Sequence, residues 1–183
     1  MNRRIAVTGA SGTGKSRVVE HLYSRLQLPI NPVGSRSIAK SLGFDRVYDV
    51  DKHNLRGVFQ RKLFAEKSNW EAANDDFLTD RTVFDNLAYT MVHGGTETMR
   101  LEELSGYIEA VKRYTTIIYL PVYVFQKLGD DPSRSQSEVY HQMYDMVIRA
   151  LFIEYKIPNV LTLHCPLEER IKIIDSLLDE KCI

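Results

Sequence analysis

The hydrophobic pattern of the chain is a series of short apolar runs separated by longer amphipathic segments. Apolar runs of this length, bounded by turn residues, are typical of buried strands. They occur at residues 5–7, 77–79, 115–120 and 159–163. The third run is rich in β-branched and apolar residues and is closed by Pro121, as expected of a central parallel strand buried on both faces. A further run, 28–33, contains two prolines and predicts only a short, irregular strand.

The longer segments carry apolar residues at spacings of three and four, which predicts amphipathic helices. They cover residues 14–25, 35–42, 55–70, 83–93, 101–113, 138–155 and 167–178. Segment 44–54 is polar and aromatic with no clear period, and it predicts a loop. Strands and helices alternate, and the connections are short enough for right-handed crossovers. The chain is therefore expected to fold as a three-layer α/β/α protein with a central parallel sheet.

Length and composition are those of a soluble protein of one domain. The 183 residues, 44% hydrophobic and 26% charged, are expected to form a single domain over 1–183. No apolar run approaches the ~20 residues that cross a bilayer, and the apolar part of the first residues is too short for a signal peptide. The two cysteines, Cys165 and Cys182, have neither metal-ligand nor redox spacing. We therefore expect a cytoplasmic protein without a membrane partner.

Charge is distributed unevenly along a chain whose formal net charge is zero. Residues 1–60 contain ten Lys and Arg against four Asp and Glu, and residues 61–183 contain fourteen against twenty. A basic first third suits a site for polyanionic ligands, and it is equally compatible with a solvated basic surface.

A glycine-rich turn between the first run and the first helix, the phosphate turn (residues 9–16), carries the strongest chemical signal. It fits the pattern G-x-x-x-x-G-K-[ST] at each fixed position and has the flanking strand and helix that the pattern requires. Backbone N–H groups and the positive end of the helix dipole form a nest for anionic oxygens there. Lys15 can reach β- and γ-phosphates, and the Ser16 hydroxyl can bind the accompanying Mg²⁺. The predicted nucleotide-binding residues are Gly9, Ser11, Gly12, Thr13, Gly14, Lys15 and Ser16.

Two further features lie where α/β proteins bind ligands. Asp80 and Arg81 follow the run 77–79, and ligands of open parallel sheets bind at the carboxyl ends of the strands. A structural ion pair or a helix cap is the alternative interpretation of these two residues. Residues 128–137 have the turn chemistry of an exposed loop and precede a long helix.

This combination resembles the P-loop nucleoside and nucleotide kinases, over nearly the whole chain. The similarity is closest to the branch that includes the ribosylnicotinamide kinase domain of bacterial NAD-regulating proteins, with thymidylate and deoxynucleoside kinases more distant. The features that carry it are the phosphate turn, Asp80 and Arg81 with Asp85 and Tyr89 downstream, segment 131–134, and the helix that begins at 167 after the last strand. The resemblance implies the P-loop kinase fold, a small lid over about 128–137, and the use of ATP with Mg²⁺.

The resemblance also implies roles for individual residues. Lys15, Mg²⁺ and Arg134 would supply positive charge around the transferring phosphoryl group, with Arg134 acting from the closing lid. Asp80 would hold a magnesium-bound water or accept the proton of the acceptor hydroxyl, and both roles stay open. Arg81 would contact the acceptor or its phosphate. Asp85, one turn along the next helix, is expected to be a first-turn partner of the helix dipole.

One departure from the family leaves the acceptor open. Many relatives have an acidic residue just after the second strand, whereas residues 30–36 contain no carboxylate here. Asp49 or Asp51 is the alternative source of that carboxylate. Arg36, which lies in this place, points to an acceptor that already carries phosphate.

The leading hypothesis is an ATP-dependent kinase that transfers the γ-phosphate to a hydroxyl of a nucleoside, a nucleotide or a similar small metabolite. A second is a viral-type kinase acting on hydroxymethylated bases, such as 5-hydroxymethyluracil, or on ends in DNA. The basic first 60 residues and the region around Arg36 motivate it, and the lack of bulk positive charge counts against duplex binding. A third is a regulatory NTPase without an acceptor, although the guanine-reading sequence N-K-x-D is absent. The oligomeric state does not follow from the sequence.

Overall fold

The computed structural model describes residues 2–93, 99–122, 137–180 and 183. The strands in these ranges are β1 Arg4–Thr8, β2 Phe77–Asp80, β3 Thr116–Tyr119 and β4 Val160–Thr162. They form one parallel sheet in the order β2-β1-β3-β4, in which Val7 of β1 lies opposite Asp80 on one side and Ile118 on the other. The predicted strand over 28–33 is reduced to a single bridge between Ile30 and Leu78. Its two prolines explain this, because proline has no N–H to donate to a ladder.

Helices occupy the connections between the strands. They are α1 Lys15–Leu26, α2 Ser35–Ser41, α3 Val47–Lys52, α4 Arg56–Ala73, α5 Val83–Val92, α6 Leu101–Val111, α7 Glu138–Glu154 and α8 Leu167–Asp179. The prediction of a loop over 44–54 is wrong, because α3 lies within it. This helix is only six residues long, too short to show a helical period, and it is anchored by Val50, which is fully buried against α2 and α4. None of the helices in the described ranges combines the length and the apolar character needed to span a bilayer.

Alternate residues of the strands enter two different cores. One core packs against α1 and α8 and contains the strand residues Ile5, Val7, Leu78 and Ile118. The other packs against α5, α6 and α7 and contains the strand residues Ala6, Phe77, Ile117 and Tyr119. The sheet is therefore covered on both faces, which confirms the three-layer α/β/α architecture.

The order of the strands sets the position of the site. The connection that leaves β1 leads to β2 on one side, and the next connection crosses to β3 on the other side. Ligands of open α/β sheets bind in the crevice where the strand order reverses in this way, beyond the carboxyl ends of the strands. The phosphate turn follows β1 at this place.

Candidate active site

The phosphate turn closes tightly against the end of β3. Gly9, Gly12 and Gly14 have positive φ angles of 143°, 82° and 89°, a region that residues with a side chain rarely adopt. A Cβ atom on Gly9 would lie 2.2 Å from the carbonyl oxygen of Leu120. Glycine is therefore required at this position for two reasons, the backbone angle and the closeness of the neighbouring strand.

Two side chains of the phosphate turn bond across it. Lys15 Nζ donates to the carbonyl oxygen of Ala10 at 2.6 Å, and Thr13 Oγ1 donates to the same oxygen at 2.9 Å. Lys15 is buried, so its ammonium is held within the turn. Ser16 is exposed at the start of α1, and Ser11 is half-buried. The structure thus brings the predicted nucleotide-binding residues together in one continuous turn at the start of a twelve-residue helix.

Arg170, on α8, ties the phosphate turn to the end of β4. Its side chain is almost fully buried, with the residue 1% exposed. Nη1 donates to the carbonyl oxygen of Thr13 at 2.5 Å, and Nε donates to the carbonyl oxygen of Leu163 at 3.1 Å. Burial lowers the pKa of this guanidinium below its ordinary value, and Nη2 is buried without an oxygen partner among the described residues. Sequence reasoning assigned no role to this residue.

Asp80 and Arg81 lie beside the phosphate turn. Asp80 is the exposed last residue of β2. Arg81 has a φ of 76°, and its N–H donates to the carbonyl oxygen of Val7 at 2.8 Å. Its Nη1 donates to the carbonyl oxygen of Gly9 at 3.2 Å and pairs with Asp85 Oδ1 at 2.9 Å. The ion pair of Arg81 is thus with Asp85 and not with its neighbour Asp80.

The buried carboxylate of Asp85 connects three elements at this edge of the sheet. Oδ2 accepts from Thr8 Oγ1 at 2.7 Å and from the N–H and hydroxyl of Thr82 at 2.7 and 2.8 Å. Oδ1 accepts from Arg81 and from the hydroxyl of Tyr144. Asp85 forms a capping box with Thr82 in the first turn of α5. The expected first-turn role is therefore only part of its function, because the carboxylate also joins α5 to β1 and α7.

A buried ion pair supports the end of β2 from α4. Lys67 Nζ and Glu71 Oε1 are 3.2 Å apart, with side chains 3% and 1% exposed. Lys67 also donates to the hydroxyl of Thr79, which in turn donates to the carbonyl oxygen of Arg81 at 3.3 Å. Glu71 accepts from the hydroxyl of Tyr114 at 2.8 Å. Burial, with Glu71 beside it, raises the pKa of Tyr114 above its ordinary value, so this hydroxyl stays a donor.

Four rings from α5, its C-cap residue His93 and α7 form the aromatic wall (Tyr89, His93, Tyr140 and Tyr144), and Arg81 lies next to two of them, Tyr89 and Tyr144. The rings of Tyr89 and Tyr144 are 4.5 Å apart, and His93 Nε2 is 2.9 Å from the hydroxyl of Tyr140. The guanidinium of Arg81 lies 5.1 Å from the centre of the Tyr89 ring. Burial raises the pKa of Tyr140 and Tyr144 and lowers that of His93. These shifts keep Tyr140, Tyr144 and His93 neutral near pH 7, and the guanidinium of Arg81 is a cation beside the wall.

A second cation, Arg56, acts electrostatically on the aromatic wall. Its guanidinium binds both carboxylate oxygens of Asp51 through Nε and Nη2. The positive charge of Arg56 adds to desolvation in lowering the pKa of His93, while Asp51 opposes it. Sequence reasoning considered Asp51 and overlooked Arg56.

The remaining predicted acceptor residues make no described contact with this site. Asp49 pairs with Lys52 Nζ at 2.9 Å, and this hydrogen bond holds the pKa of the carboxyl below its usual value. Arg36 is exposed on α2, and its side chain forms no hydrogen bond or ion pair with another residue that the structure describes. Arg134 lies outside the described residues, as does the predicted lid except for Ser137. The hydroxyl of Ser137 caps α7 by accepting from the N–H of Tyr140 at 3.2 Å.

The residues predicted to hold magnesium offer suitable donors. Mg²⁺ is usually bound by one or two protein oxygens together with substrate phosphates, rather than by a cage of protein ligands. Ser16 supplies a hydroxyl and Asp80 a carboxylate at the same edge of the sheet, and both side chains are exposed. Neither is hydrogen-bonded to another described residue, so both oxygens can accept a metal ion. Within the described ranges, no group of three or more His, Cys, Asp or Glu could hold a metal by itself.

A groove of about 610 Å³ lies between α1 and α8 next to the phosphate turn. Its lining includes the apolar side chains of Leu167 and Ile171 and the charged side chains of Arg17 and Lys172. Leu167 also borders the turn, since its Cδ1 would be 3.3 Å from a Cβ atom on Gly14. The groove is therefore continuous with the turn.

Comparison with known proteins agrees with this architecture. Deoxyadenosine kinase from M. mycoides, with dCMP and dCDP bound, is similar with a TM-score of 0.68 and 15% identity, covering 96% of this chain and 98% of that one. Shikimate kinase from Acinetobacter baumannii, in complex with shikimate, has a TM-score of 0.61 and 18% identity over 99% and 95% of the two chains. The NadR protein in complex with NR has a TM-score of 0.60 and 14% identity, over 88% of this chain and 43% of that one.

At these identities the likeness establishes the fold that the three proteins share with this chain. None of the curated proteins matches the sequence. The family model described as AAA domain matches residues 4–170, which is most of the chain. The chain therefore belongs to the AAA domain family.

Proposed function

We propose that the chain is an ATP-dependent kinase that transfers the γ-phosphate to a hydroxyl group of a nucleoside, a nucleotide or a similar small metabolite. The position of Arg81 carries this proposal. Its guanidinium donates to the carbonyl oxygen of Gly9 in the phosphate turn and faces the rings of Tyr89 and Tyr144. A phosphate site and an aromatic site thus share one cation, which suits transfer between two molecules bound side by side.

In this proposal the phosphate turn binds the donor. Its N–H groups donate hydrogen bonds to the phosphate oxygens. Lys15 Nζ then donates to the β- and γ-phosphates instead of to the carbonyl oxygen of Ala10. Ser16 and Asp80 would hold Mg²⁺, which neutralises charge on the phosphate oxygens when it is bound. Arg170 keeps the carbonyl of Thr13 turned away from these oxygens by its hydrogen bond.

The groove between α1 and α8 is the proposed place for the nucleotide base. It opens from the phosphate turn at Gly14, so a ligand whose phosphates occupy the turn can extend into it. Leu167 and Ile171 offer apolar surface to a planar ring, and Arg17 lies in the first turn of α1 beside them.

The aromatic wall is the proposed acceptor side. Neutral rings can stack on a planar group of the acceptor, and Arg81 and Arg56 can pair with a phosphate that the acceptor already carries. Asp80 would accept the proton of the hydroxyl or hold a magnesium-bound water. Arg36 and Asp49 remain proposed acceptor contacts from α2 and α3, the helices that pack beside α4.

Arg134 completes the proposal as a cation supplied by a closing lid. The similar solved structures contain small ligands, namely dATP, dCTP and shikimate. This supports a small acceptor over a DNA acceptor, and it supports a transferase over a regulatory NTPase.

A panel of acceptors tests the proposal. ADP formation from ATP should rise at least tenfold when the correct nucleoside, nucleotide or related metabolite is added. Lys15→Ala should abolish it, whereas Lys112→Ala, at an exposed lysine on the far end of α6, should retain it. Activity that requires a hydroxymethylated DNA oligonucleotide and falls steeply with salt would favour the DNA kinase instead. ADP formation that no acceptor increases would favour the regulatory NTPase.

A further inference from the structure

Arg81 has a backbone conformation that a residue with a side chain seldom adopts. Its φ of 76° lies in the left-handed region, which favours glycine. Such a conformation costs free energy and persists only where neighbouring contacts hold it. One of these contacts is the hydrogen bond from the N–H of Arg81 to the carbonyl oxygen of Val7, at 2.8 Å. A second contact, to the carbonyl oxygen of Arg81, originates in helix α4.

The carbonyl oxygen of Arg81 is held by a relay of hydrogen bonds that begins at Lys67. The ammonium of Lys67 donates to the hydroxyl of Thr79, and that hydroxyl lies 3.3 Å from the carbonyl oxygen of Arg81. An ammonium has donors only, so Thr79 Oγ1 accepts from it. The single hydrogen of this hydroxyl is then available for the carbonyl oxygen. Lys67 therefore sets the direction of the second hydrogen bond as well as making the first.

The ion-pair partner of Lys67 holds the other end of the same turn. Glu71 accepts from the hydroxyl of Tyr114 at 2.8 Å, and this hydroxyl accepts from the N–H of Val83 at 3.1 Å. An ionised carboxylate has acceptors only, so the hydrogen of the Tyr114 hydroxyl is directed at Glu71 and its oxygen faces Val83. The buried pair thus fixes residues 81–83 from both ends, through one hydroxyl group at each end.

Stability alone does not account for this ion pair. The side chains of Lys67 and Glu71 are 3% and 1% exposed. Removing two charges from water costs free energy that their attraction does not always offset, and apolar side chains of similar volume are often as stable in such places. Apolar side chains, however, cannot direct two hydroxyl groups at the backbone of one turn. The distinctive consequence of the pair is therefore geometric.

We propose that Lys67 is a positioning residue of the reaction, whose relay through Thr79 fixes the backbone of Arg81 and so holds its guanidinium between the phosphate turn and the aromatic wall. Nη1 of Arg81 is 3.2 Å from the carbonyl oxygen of Gly9, and the guanidinium is 5.1 Å from the centre of the Tyr89 ring. Rotation of the backbone at Arg81 would move this cation relative to both. The effect on catalysis rests on the kinase function proposed above, whereas the effect on the backbone does not depend on the reaction.

Kinetics of two Thr79 variants test the catalytic effect. Thr79→Val keeps the shape of the side chain but removes the hydroxyl, and it should lower kcat for transfer to the acceptor by about tenfold or more, because a small displacement of a catalytic group is costly. The KM for ATP should stay near the wild-type value, since the phosphate turn keeps its own contacts. Thr79→Ser restores the hydroxyl and should restore kcat. A Thr79→Val chain with the kcat of the wild type would overturn the proposal.

Hydrogen exchange measured by NMR tests the effect on the backbone without any assay of activity. The N–H groups of Arg81 and Leu120 donate to carbonyl oxygens of β1, those of Val7 and Thr8, and both distances are 2.8 Å. Thr79→Val should speed the exchange at Arg81 by about tenfold through local opening and leave Leu120 nearly unchanged. Equal acceleration at both residues would indicate a general loss of stability and would contradict the proposal, as would an unchanged rate at Arg81.

A double variant, Lys67→Met with Glu71→Gln, tests the ion pair itself. It removes both charges together and leaves neither uncompensated, so the chain should remain folded. Exchange at Arg81 should be faster and kcat lower than in the wild type, and a double variant that equals the wild type in both would overturn the role of Lys67. Failure of the kinase function would be visible separately, as a wild-type chain that phosphorylates no acceptor. The exchange rates at Arg81 would then still decide whether Lys67 fixes its backbone.

Discussion

Replacing Gly9 by alanine tests whether the phosphate turn depends on its contact with the end of β3. The added methyl group would lie 2.2 Å from the carbonyl oxygen of Leu120 and 3.0 Å from Thr13 Oγ1. The carbonyl group cannot move away freely, because the N–H of Leu120 is bonded to the carbonyl oxygen of Thr8 at 2.8 Å. The φ angle of 143° adds a second cost, since alanine rarely adopts it.

The size of the effect follows from these two contributions. Overpacking costs about 1–3 kcal/mol, and holding a residue at an unfavourable backbone angle costs about 1–3 kcal/mol. If the turn keeps its position, the free energy of unfolding should fall by about 2–6 kcal/mol. For a chain of this length that lowers the Tm by on the order of 10 °C. If the turn moves instead, the stability recovers and the N–H groups no longer converge on a phosphate.

Thermal unfolding with and without MgATP detects both outcomes, a destabilised chain and a chain whose turn has moved and no longer binds phosphate. Ligand that binds the folded state raises the Tm of the wild-type chain. Gly9→Ala should lower the Tm in the absence of ligand, lose most of the MgATP-dependent increase, or do both. Gly34→Ala is the control, because a Cβ atom there has nothing within 4 Å and its φ of −140° suits any residue. If Gly9→Ala matched Gly34→Ala in both measurements, the phosphate turn would not depend on its contact with the end of β3.

Three other substitutions test the surroundings of the turn and the aromatic wall. Arg170→Met keeps the apolar stem but removes two hydrogen bonds to backbone carbonyls, so the KM for ATP should rise about tenfold. An unchanged KM in steady-state kinetics would contradict a role of Arg170 in holding the phosphate turn. Glu71→Gln leaves the buried charge of Lys67 uncompensated and should lower the free energy of urea unfolding by about 3–5 kcal/mol, whereas Glu109→Gln at an exposed pair should change it little. Desolvation lowers the pKa of His93 in the folded chain. As the pH falls, the unfolded chain therefore binds a proton at this residue before the folded chain does. The stability that is present above the unfolded pKa of about 6.5 is lost as the pH falls through the folded pKa. His93→Gln should therefore show a shallower decrease of Tm between about pH 7 and pH 5 than the wild-type chain, and an equal slope would speak against it.

Much of the fold was predictable because it depends on local pattern. The buried strands are short apolar runs, and the longer helices show their period over three or more turns, so their positions agree with the sequence-based predictions within a few residues. Helix α3 was missed because its existence depends on one buried contact of Val50 and not on a repeating pattern. The bridge at Ile30 shows the reverse case, in which the prolines on either side limit a predicted strand to a single pairing.

Some residues of the candidate site were likewise predictable from local sequence, and others depend on tertiary structure. The phosphate turn consists of eight consecutive residues, so its chemistry can be predicted from the sequence alone. Arg170 reaches the turn from the far end of the chain, and only its place on the apolar face of α8, one turn before the buried Ile174, marks it as unusual. Asp85 had a local signal in the spacing Thr82-x-x-Asp85 of a capping box, but its bonds to β1 and α7 depend on tertiary structure.

Transfer of label from [γ-³²P]ATP to an acceptor is the most direct measurement of the central proposal. The wild-type chain should place the label in a covalent phosphate ester of the acceptor, at a rate that depends on acceptor concentration. Lys15→Ala should remain folded and transfer no label. Release of the label only as inorganic phosphate, at the same rate with and without every acceptor tested, would contradict the assignment of the chain as a kinase.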